Sequence, residues 1–470
     1  MTLKGTDIIA LGYEEGEVVG TVLQTISTHY ADTEKADIEK VLTAVLENPN
    51  AYVADEKLGA IAATLLQPKV EDLTIPLRAT KVPYKTYGIE GIEQGAIDQM
   101  EVAMRLPIAK SGALMADAHQ GYGLPIGGVL ATENAVIPYG VGVDIGCRMC
   151  MSIYDIPAGF INTNTPQLKK MLKQNTQFGR ATFKRPREHD ILSNPLFDEI
   201  DVVKRLKDRA YQQLGTSGGG NHFVEFGIAH ITDADNEFGI KPGKYLALLS
   251  HSGSRGLGAS IANHYTKLAR ELCKLPDEAK HLAWLDLDTE AGQEYWLAMT
   301  LAGDYASACH HQIHERMAIG LRTTPLAMVE NHHNFAWKEK DEQGNELIVH
   351  RKGATPAGKG VLGIIPGSMT APGFIVRGKG ETLSVNSASH GAGRTMSRTQ
   401  AKKTLDPKMV SNHLAENGIE LIGSGLDEAP QAYKDIHQVM DAQIDLVDVV
   451  GTFLPKIVRM CGDEKFKEVD

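Results

Sequence analysis

The chain predicts an α+β fold, with one large domain of mixed, irregular sheets and helices over residues 76–470 and a small accessory segment over residues 1–75. Two observations carry this. From Leu77 onward, short β-branched runs alternate with glycine-rich turns and are interrupted by amphipathic stretches, without the regular strand–helix succession of a parallel α/β sheet. The polar motifs are scattered from residue 117 to the C-terminus and make chemical sense only if they converge. A single integrated unit follows, although about 150 residues per domain would allow three.

The elements follow from periodicity. Apolar residues recur at helical spacing in Ala36 to Leu46 and in Leu58 to Leu66, so the accessory segment is expected to be helical, closed by an extended, proline-containing stretch from Leu73. It carries no chemical motif. Further helices are expected at about 195–214, 256–274, 290–320 and 429–447, with short strands filling the intervals. There is no internal repeat or low-complexity tract.

Composition excludes several classes. Among 470 residues, 42% hydrophobic and 23% charged, no apolar run approaches the ~18 residues of a membrane span, and no basic region precedes a hydrophobic one at the N-terminus. A cytoplasmic protein with no membrane partner is expected. The five cysteines are too few, and odd in number, for a disulfide framework. A net charge of −11 gives no general attraction to polyanions, so a nucleic-acid partner needs a local basic patch. Arg180, Lys184, Arg185 and Arg187 offer one, and Arg394, Arg398, Lys402 and Lys403 another.

Some motifs fail on context. Gly353 to Gly360 nearly spells a P-loop, but Gly360 stands where Ser or Thr should hold magnesium. Gly215 to Gly219 matches a nucleophile elbow, yet glycines replace the helix that should follow the serine. Cys147 and Cys150 form C-x-x-C without a second pair, and a strand from Cys150 would point the two thiols to opposite faces, leaving Cys147 as the ligand. His310 and His314, one helical turn apart, read as a polar helix face.

What survives is more specific. Asp144 and Cys147 in Val141-Gly-Val-Asp-Ile-Gly-Cys-Arg-Met149 suit a borderline divalent ion, manganese or zinc, because a hard oxygen site would not use sulfur. Four later segments each bring a histidine beside small or polar residues: Gly218-Gly-Gly-Asn-His222, Ser250-His-Ser-Gly-Ser-Arg-Gly256, Asn331-His-His-Asn334 and Asn386-Ser-Ala-Ser-His-Gly-Ala-Gly-Arg394. In the last, glycines allow close approach to a ligand and Arg394 is suited to grip a phosphate with both arms.

With Asp117-Ala-His-Gln-Gly-Tyr-Gly123, His350-Arg-Lys-Gly-Ala-Thr355, Pro366-Gly-Ser-Met369 and Asp427-Glu-Ala-Pro-Gln-Ala-Tyr-Lys434, these segments make the chain resemble, from about residue 78 onward, the RtcB family of RNA-splicing ligases. The resemblance implies a manganese- and GTP-dependent RNA ligase, for tRNA splicing or RNA repair, that joins 3′-phosphate or 2′,3′-cyclic phosphate ends to 5′-hydroxyl ends. It implies two manganese ions bridged by Cys147, one completed by Asp144 and His222 and the other by His251 and His333. His333 is chosen over His332 because it directly precedes Asn334. His390 would be the nucleophile that takes up GMP. Asn221 and Glu225 would lie against nucleotide and phosphates, with Ser368, Tyr433 and the backbone of Gly391, Ala392 and Gly393 around the guanosine. An archease-like activator is a further implied partner.

The chain departs from the family pattern at Arg148 (usually glycine), Pro356 (an arginine), Thr370 to Pro372 (a glycine-rich run) and Cys461 (a guanine-contacting lysine). Cys461 therefore predicts weakened preference for GTP over ATP, unless Lys456 or Arg459 reaches the same space. Two other classes compete with ligation. One is a metal-dependent phosphatase or cyclic phosphodiesterase acting on RNA ends, and the other is a weakly catalytic RNA-end-binding protein.

Overall fold

The computed structural model describes residues 3–14, 17–31, 33–66, 74–423 and 425–462. They belong to two compact units, Met1–Leu73 and Thr74–Asp470. The first is helical, with helices Gly5–Ala10, Glu17–His29, Lys35–Glu47 and Gly59–Leu66. Its core is Ile8, Val22, Ile26, Ile38, Leu42, Val45 and Ile61, all buried. The Tyr13 hydroxyl donates to the Leu42 carbonyl at 2.8 Å, which satisfies the one polar atom that this ring brings inside. The extended stretch expected to close this unit begins at Leu73, and residues 67–73 lie outside the described residues.

The second unit is α+β. Its principal strands are β1 (Ala109–Tyr122), β2 (Leu124–Thr132), β3 (Arg148–Pro157), β4 (Phe223–Ile231), β5 (Gly243–Ser252), β6 (Pro325–His332), β7 (Asn334–Lys340), β8 (Glu346–Lys352), β9 (Leu362–Ile365), β10 (Gly373–Gly378), β11 (Glu420–Ile422) and β12 (Val447–Met460). One sheet runs Lys85–Thr86, β1, β2, β8, β7. The larger runs β9, β10, β12, β4, β5, β3, β6, with β11 beside β12. Three helices matter below: α1 (Phe160–Asn175), α2 (Arg255–Leu272) and α3 (Glu290–Leu321).

The expected helices at 256–274 and 290–320 correspond to α2 and α3. Two other expectations are corrected. Residues 195–214 form three short helices, Leu196–Glu199, Asp201–Lys204 and Lys207–Gln213, because breaks at Ile200 and Leu206 turn Phe197, Val203 and Ala210 each into the core. Residues 429–447 are mostly not helical. The backbone of Tyr433 bridges to Arg394, the Lys434 N–H donates to the Gly393 carbonyl at 3.0 Å, and Asp435 caps a six-residue helix, Ile436–Asp441. These long-range bonds close one wall of the site, overriding local helical periodicity.

The register of β3 positions everything that follows. Met149 lies opposite His251 on β5 and Asn331 on β6, and Cys150 lies opposite Ser250 and Glu330. Alternate residues of a strand point to opposite faces, so the odd-numbered set faces one layer and the even-numbered set another, against α3.

Candidate metal centre and active-site cleft

On the odd face, Asp144, Cys147, His222, His251 and His333 come together. Cys147 Sγ lies 3.2 Å from His251 Nε2 and 3.4 Å from His222 Nε2, and His251 Nε2 is 3.2 Å from His333 Nε2. His222 Nε2 meets Asp144 Oδ2 at 2.9 Å. The five sequence-predicted ligands thus form two overlapping groups that share the Cys147 thiol, which is buried. His332 turns away from this cluster and packs against Phe335 and Trp337, with ring centroids 5.0 and 4.9 Å away.

The donor set fits a cation. His251 Nδ1 faces the Asn221 carbonyl at 3.1 Å; because a carbonyl only accepts, the ring proton sits there and Nε2 presents a lone pair to the thiol. His222 and His333 likewise present Nε2 to the cluster, so all three rings turn the same nitrogen toward the thiol. Burial holds the His251 imidazole down to about 3 and His333 well below the usual range, so both stay neutral. Burial alone would raise the Asp144 carboxyl, but the neighbouring His222 and the Cys147 thiol bring it down to about 2. Burial and Asp144 push the Cys147 thiol up; only a cation would hold it as thiolate.

His390 stands beside this cluster, its ring centroid 4.8 Å from that of His333. Asp117 fixes it. Oδ2 of this fully buried carboxylate lies 2.6 Å from His390 Nδ1 and accepts the backbone N–H groups of His390 at 3.1 Å and Gly391 at 3.2 Å. The proton is thereby held at Nδ1 and the Nε2 lone pair is left available. Burial opposes ionisation of Asp117, yet the neighbouring His390 and Lys434 lower its carboxyl below the ordinary value. The neighbouring loop is forced to be glycine at 393, where φ is +71° and any Cβ would overlap the Asp117 carbonyl.

The motif from Asp117 to Gly123 does not by itself reveal a role for Asp117. A signal existed, because a carboxylate amid Ala113-Leu-Met-Ala-Asp-Ala118 is a charge in an apolar strand, and buried charges are rarely retained without a partner. Asp117→Asn is expected to slow covalent loading of His390 by about 10²–10⁴-fold while metal content stays unchanged, because an amide can present its N–H to Nδ1 and stabilise the wrong tautomer. Unaltered loading in the folded variant would remove this positioning role.

The centre opens into a cleft of about 1050 Å³. Asn221, Glu225, Ser368, Gly391, Ala392, Gly393, Arg394 and Tyr433 all line it, as do Arg180, Arg209, Arg255, Lys352 and Arg398. Burial brings Lys352 down to about 7 while its Nζ donates to the Tyr122 carbonyl at 2.7 Å, and Arg398 pairs with Glu428 at 3.4 Å. Arg209 and Lys352 were not singled out from sequence. Burial raises the Glu225 carboxyl to about 8, so it is largely protonated near neutrality and able to donate a hydrogen bond.

Arg394 is corrected. Its Nη2 donates to the Asp427 carbonyl at 2.6 Å, Nε to the Met396 carbonyl at 3.1 Å, and Nη1 pairs with Glu428 at 3.3 Å, with the guanidinium over the Tyr433 ring. All three nitrogens are engaged in building the wall, which leaves no free fork for a two-armed phosphate grip. His310 and His314 are also corrected: both are buried against β3 and β5, because α3 is covered on several sides.

The departures from the family pattern fall largely away from the cleft lining. Arg148 faces the opposite side of the sheet, bonded to Glu330 at 3.1 Å and to the Gly303 carbonyl at 2.7 Å. Pro356 pairs with Ser387 in a two-stranded ladder. Cys461 packs, partly buried, against the core cluster that contains Leu172, Phe178 and Ile457, while Arg459 donates to the Leu172 carbonyl. Cys461→Lys is therefore expected to leave the relative use of GTP and ATP unchanged, measured by competition of the two nucleotides for adduct formation. A shift toward GTP in that variant would place residue 461 in the nucleotide pocket.

Fold and site together define an α+β protein built around a buried thiol–imidazole–carboxylate cluster suited to a metal ion, with an aspartate-held histidine beside it. The family model described as tRNA-splicing ligase RtcB matches residues 99–460. The RNA-splicing ligase RtcB of Escherichia coli K12 is 35% identical, the alignment covering 79% of this chain and 95% of that protein. The tRNA-splicing ligase RtcB of Nanoarchaeum equitans is 31% identical over 80% of this chain and 95% of its own, and that of Thermococcus kodakarensis 29% over 74% and 86%. The chain belongs to the RtcB family.

Proposed function

We propose that this chain is an RNA ligase that joins 3′-phosphate or 2′,3′-cyclic phosphate ends to 5′-hydroxyl ends, using GTP and manganese through a GMP adduct on His390. The observation that carries the reading is the placement of an Asp117-held imidazole 4.8 Å, ring to ring, from a histidine of a five-residue metal-ligand cluster. Cys147 would bridge two ions held by Asp144 and His222 on one side and His251 and His333 on the other. Bound there, the ions would supply Lewis-acid neutralisation of charge on the phosphoryl oxygens.

The chain's own groups account for the rest. Asp117 keeps the His390 proton on Nδ1, so Nε2 attacks the α-phosphorus; an N–P bond forms as the P–O bond to pyrophosphate breaks. Water first opens a 2′,3′-cyclic end to the 3′-phosphate, breaking the bond to the 2′-oxygen; His390 then passes GMP to the 3′-phosphate, and the 5′-hydroxyl displaces GMP to form the phosphodiester. Asn221, Glu225, Ser368, Tyr433 and the Gly391 to Gly393 backbone would hold the nucleotide, while Arg180 and Arg209 would face the RNA phosphates, an attraction that weakens with salt.

The test is direct. Two RNA oligonucleotides, one ending in 3′-phosphate and one beginning with 5′-hydroxyl, are incubated with the protein, manganese and GTP. The expected product is the joined strand, formed only when both nucleotide and metal are present. Release of inorganic phosphate without joining, independent of nucleotide, would replace ligation by a phosphatase activity.

A further inference from the structure

The even-numbered face of β3 carries a second cluster. Cys150, His310 and His314 bring a sulfur and two ring nitrogens within 4.8 Å of one another, all three residues buried. The two histidines stand one turn apart on α3, and the cysteine comes from β3, which lies between β5 and β6.

Hydrogen bonds orient both rings. His310 Nε2 faces the Ser252 carbonyl at 3.1 Å, so it holds the ring proton, and Nδ1 points its lone pair inward. His314 lies between Ser152 Oγ, 2.7 Å from Nδ1, and Ser250 Oγ, 2.8 Å from Nε2. Ser250 Oγ is also 2.6 Å from His310 Nδ1. Without an ion the bonds run in one direction, from Ser152 through His314, Ser250 and His310 to the Ser252 carbonyl, and every ring nitrogen is satisfied. The same groups also form a ligand set. Moving the His314 proton from Nε2 to Nδ1 makes Ser152 its acceptor and turns a second lone pair inward beside that of His310, while the Ser250 hydroxyl rotates. Imidazoles whose outer N–H groups are held by a carbonyl and a hydroxyl, with a thiol alongside, make the pattern of a zinc-type site.

We propose that Cys150, His310 and His314 form a second metal site on the far side of the sheet from the catalytic cluster, for a borderline divalent cation such as zinc, with Ser250 Oγ at the fourth position. Binding makes three metal–ligand bonds to these side chains and releases the Cys150 proton to solvent, with no redox change. In the ion-free chain, burial holds the thiol neutral and both imidazoles uncharged, so the pocket carries no cation of its own at these three groups. The nearest charges, Arg148 and Glu330, pair with each other at 3.1 Å. The site would tie α3 to β3, just after Cys147, and so stiffen the strand that leads out of the catalytic cluster.

Elemental analysis of the full chain, dialysed against a weak chelator and loaded with zinc, tests this. Cys147→Ala is expected to keep one tightly held ion per chain, and Cys147→Ala/Cys150→Ala to keep none. If the double variant fails to fold, Cys147→Ala/His314→Gln, which preserves a hydrogen-bonding side chain, is held to the same criterion. Cobalt-loaded Cys147→Ala should also show a thiolate-to-cobalt charge-transfer band. Equal metal content with and without Cys150 or His314, or no cobalt band in folded Cys147→Ala, overturns the site and leaves the cluster a hydrogen-bonded relay.

Discussion

Cys147→Ala is expected to remove both ions of the catalytic cluster at once and to abolish ligation. The thiol stands 3.2 Å from His251 Nε2 and 3.4 Å from His222 Nε2, so one side chain serves both halves of the cluster. Losing an ordinary terminal ligand would weaken one ion; losing a shared one weakens two. Metal content, measured by elemental analysis after manganese loading, should fall by two ions per chain relative to the parent. Retention of both ions, tightly held, would remove the bridging role from Cys147.

His390→Ala separates chemistry from metal binding. The side chain lies beside the cluster and is fixed by Asp117 rather than serving among the five ligands, so the variant should load manganese like the parent. It should nevertheless form no nucleotide adduct and join no RNA, because among the described residues no other imidazole is held with a lone pair toward the cleft by a buried carboxylate. Ligation at parental rates in this variant would exclude covalent catalysis through this residue.

Much of the site was legible because its residues fall in short motifs whose types dictate their chemistry. Asp144, Cys147, His222, His251 and His333 come from four separate segments and meet in one cluster, and strand alternation separates Cys147 from Cys150. Roles that depend on distant partners were not legible. Whether Arg394 grips a ligand or a wall is decided by Asp427, Met396 and Glu428. His310 and His314 have the spacing of a solvated helix face, yet α3 is enclosed, so the same spacing aims them at a sheet. In the fold, α2 and α3 were readable from periodicity, whereas 429–447 was not. There Tyr433 and Lys434 bond across to Arg394 and Gly393, and local sequence carries no record of that pairing.

The central claim is that His390 carries the nucleotide next to a metal centre built on Cys147. It is tested most directly by incubating the parent protein with manganese and GTP labelled in the α-phosphate, then locating the label by mass spectrometry under conditions that preserve acid-labile bonds. The expected result is a single GMP, bonded through nitrogen to His390 and formed only with metal present. A label on any other residue, or a fully metal-loaded protein that takes up none, would contradict it.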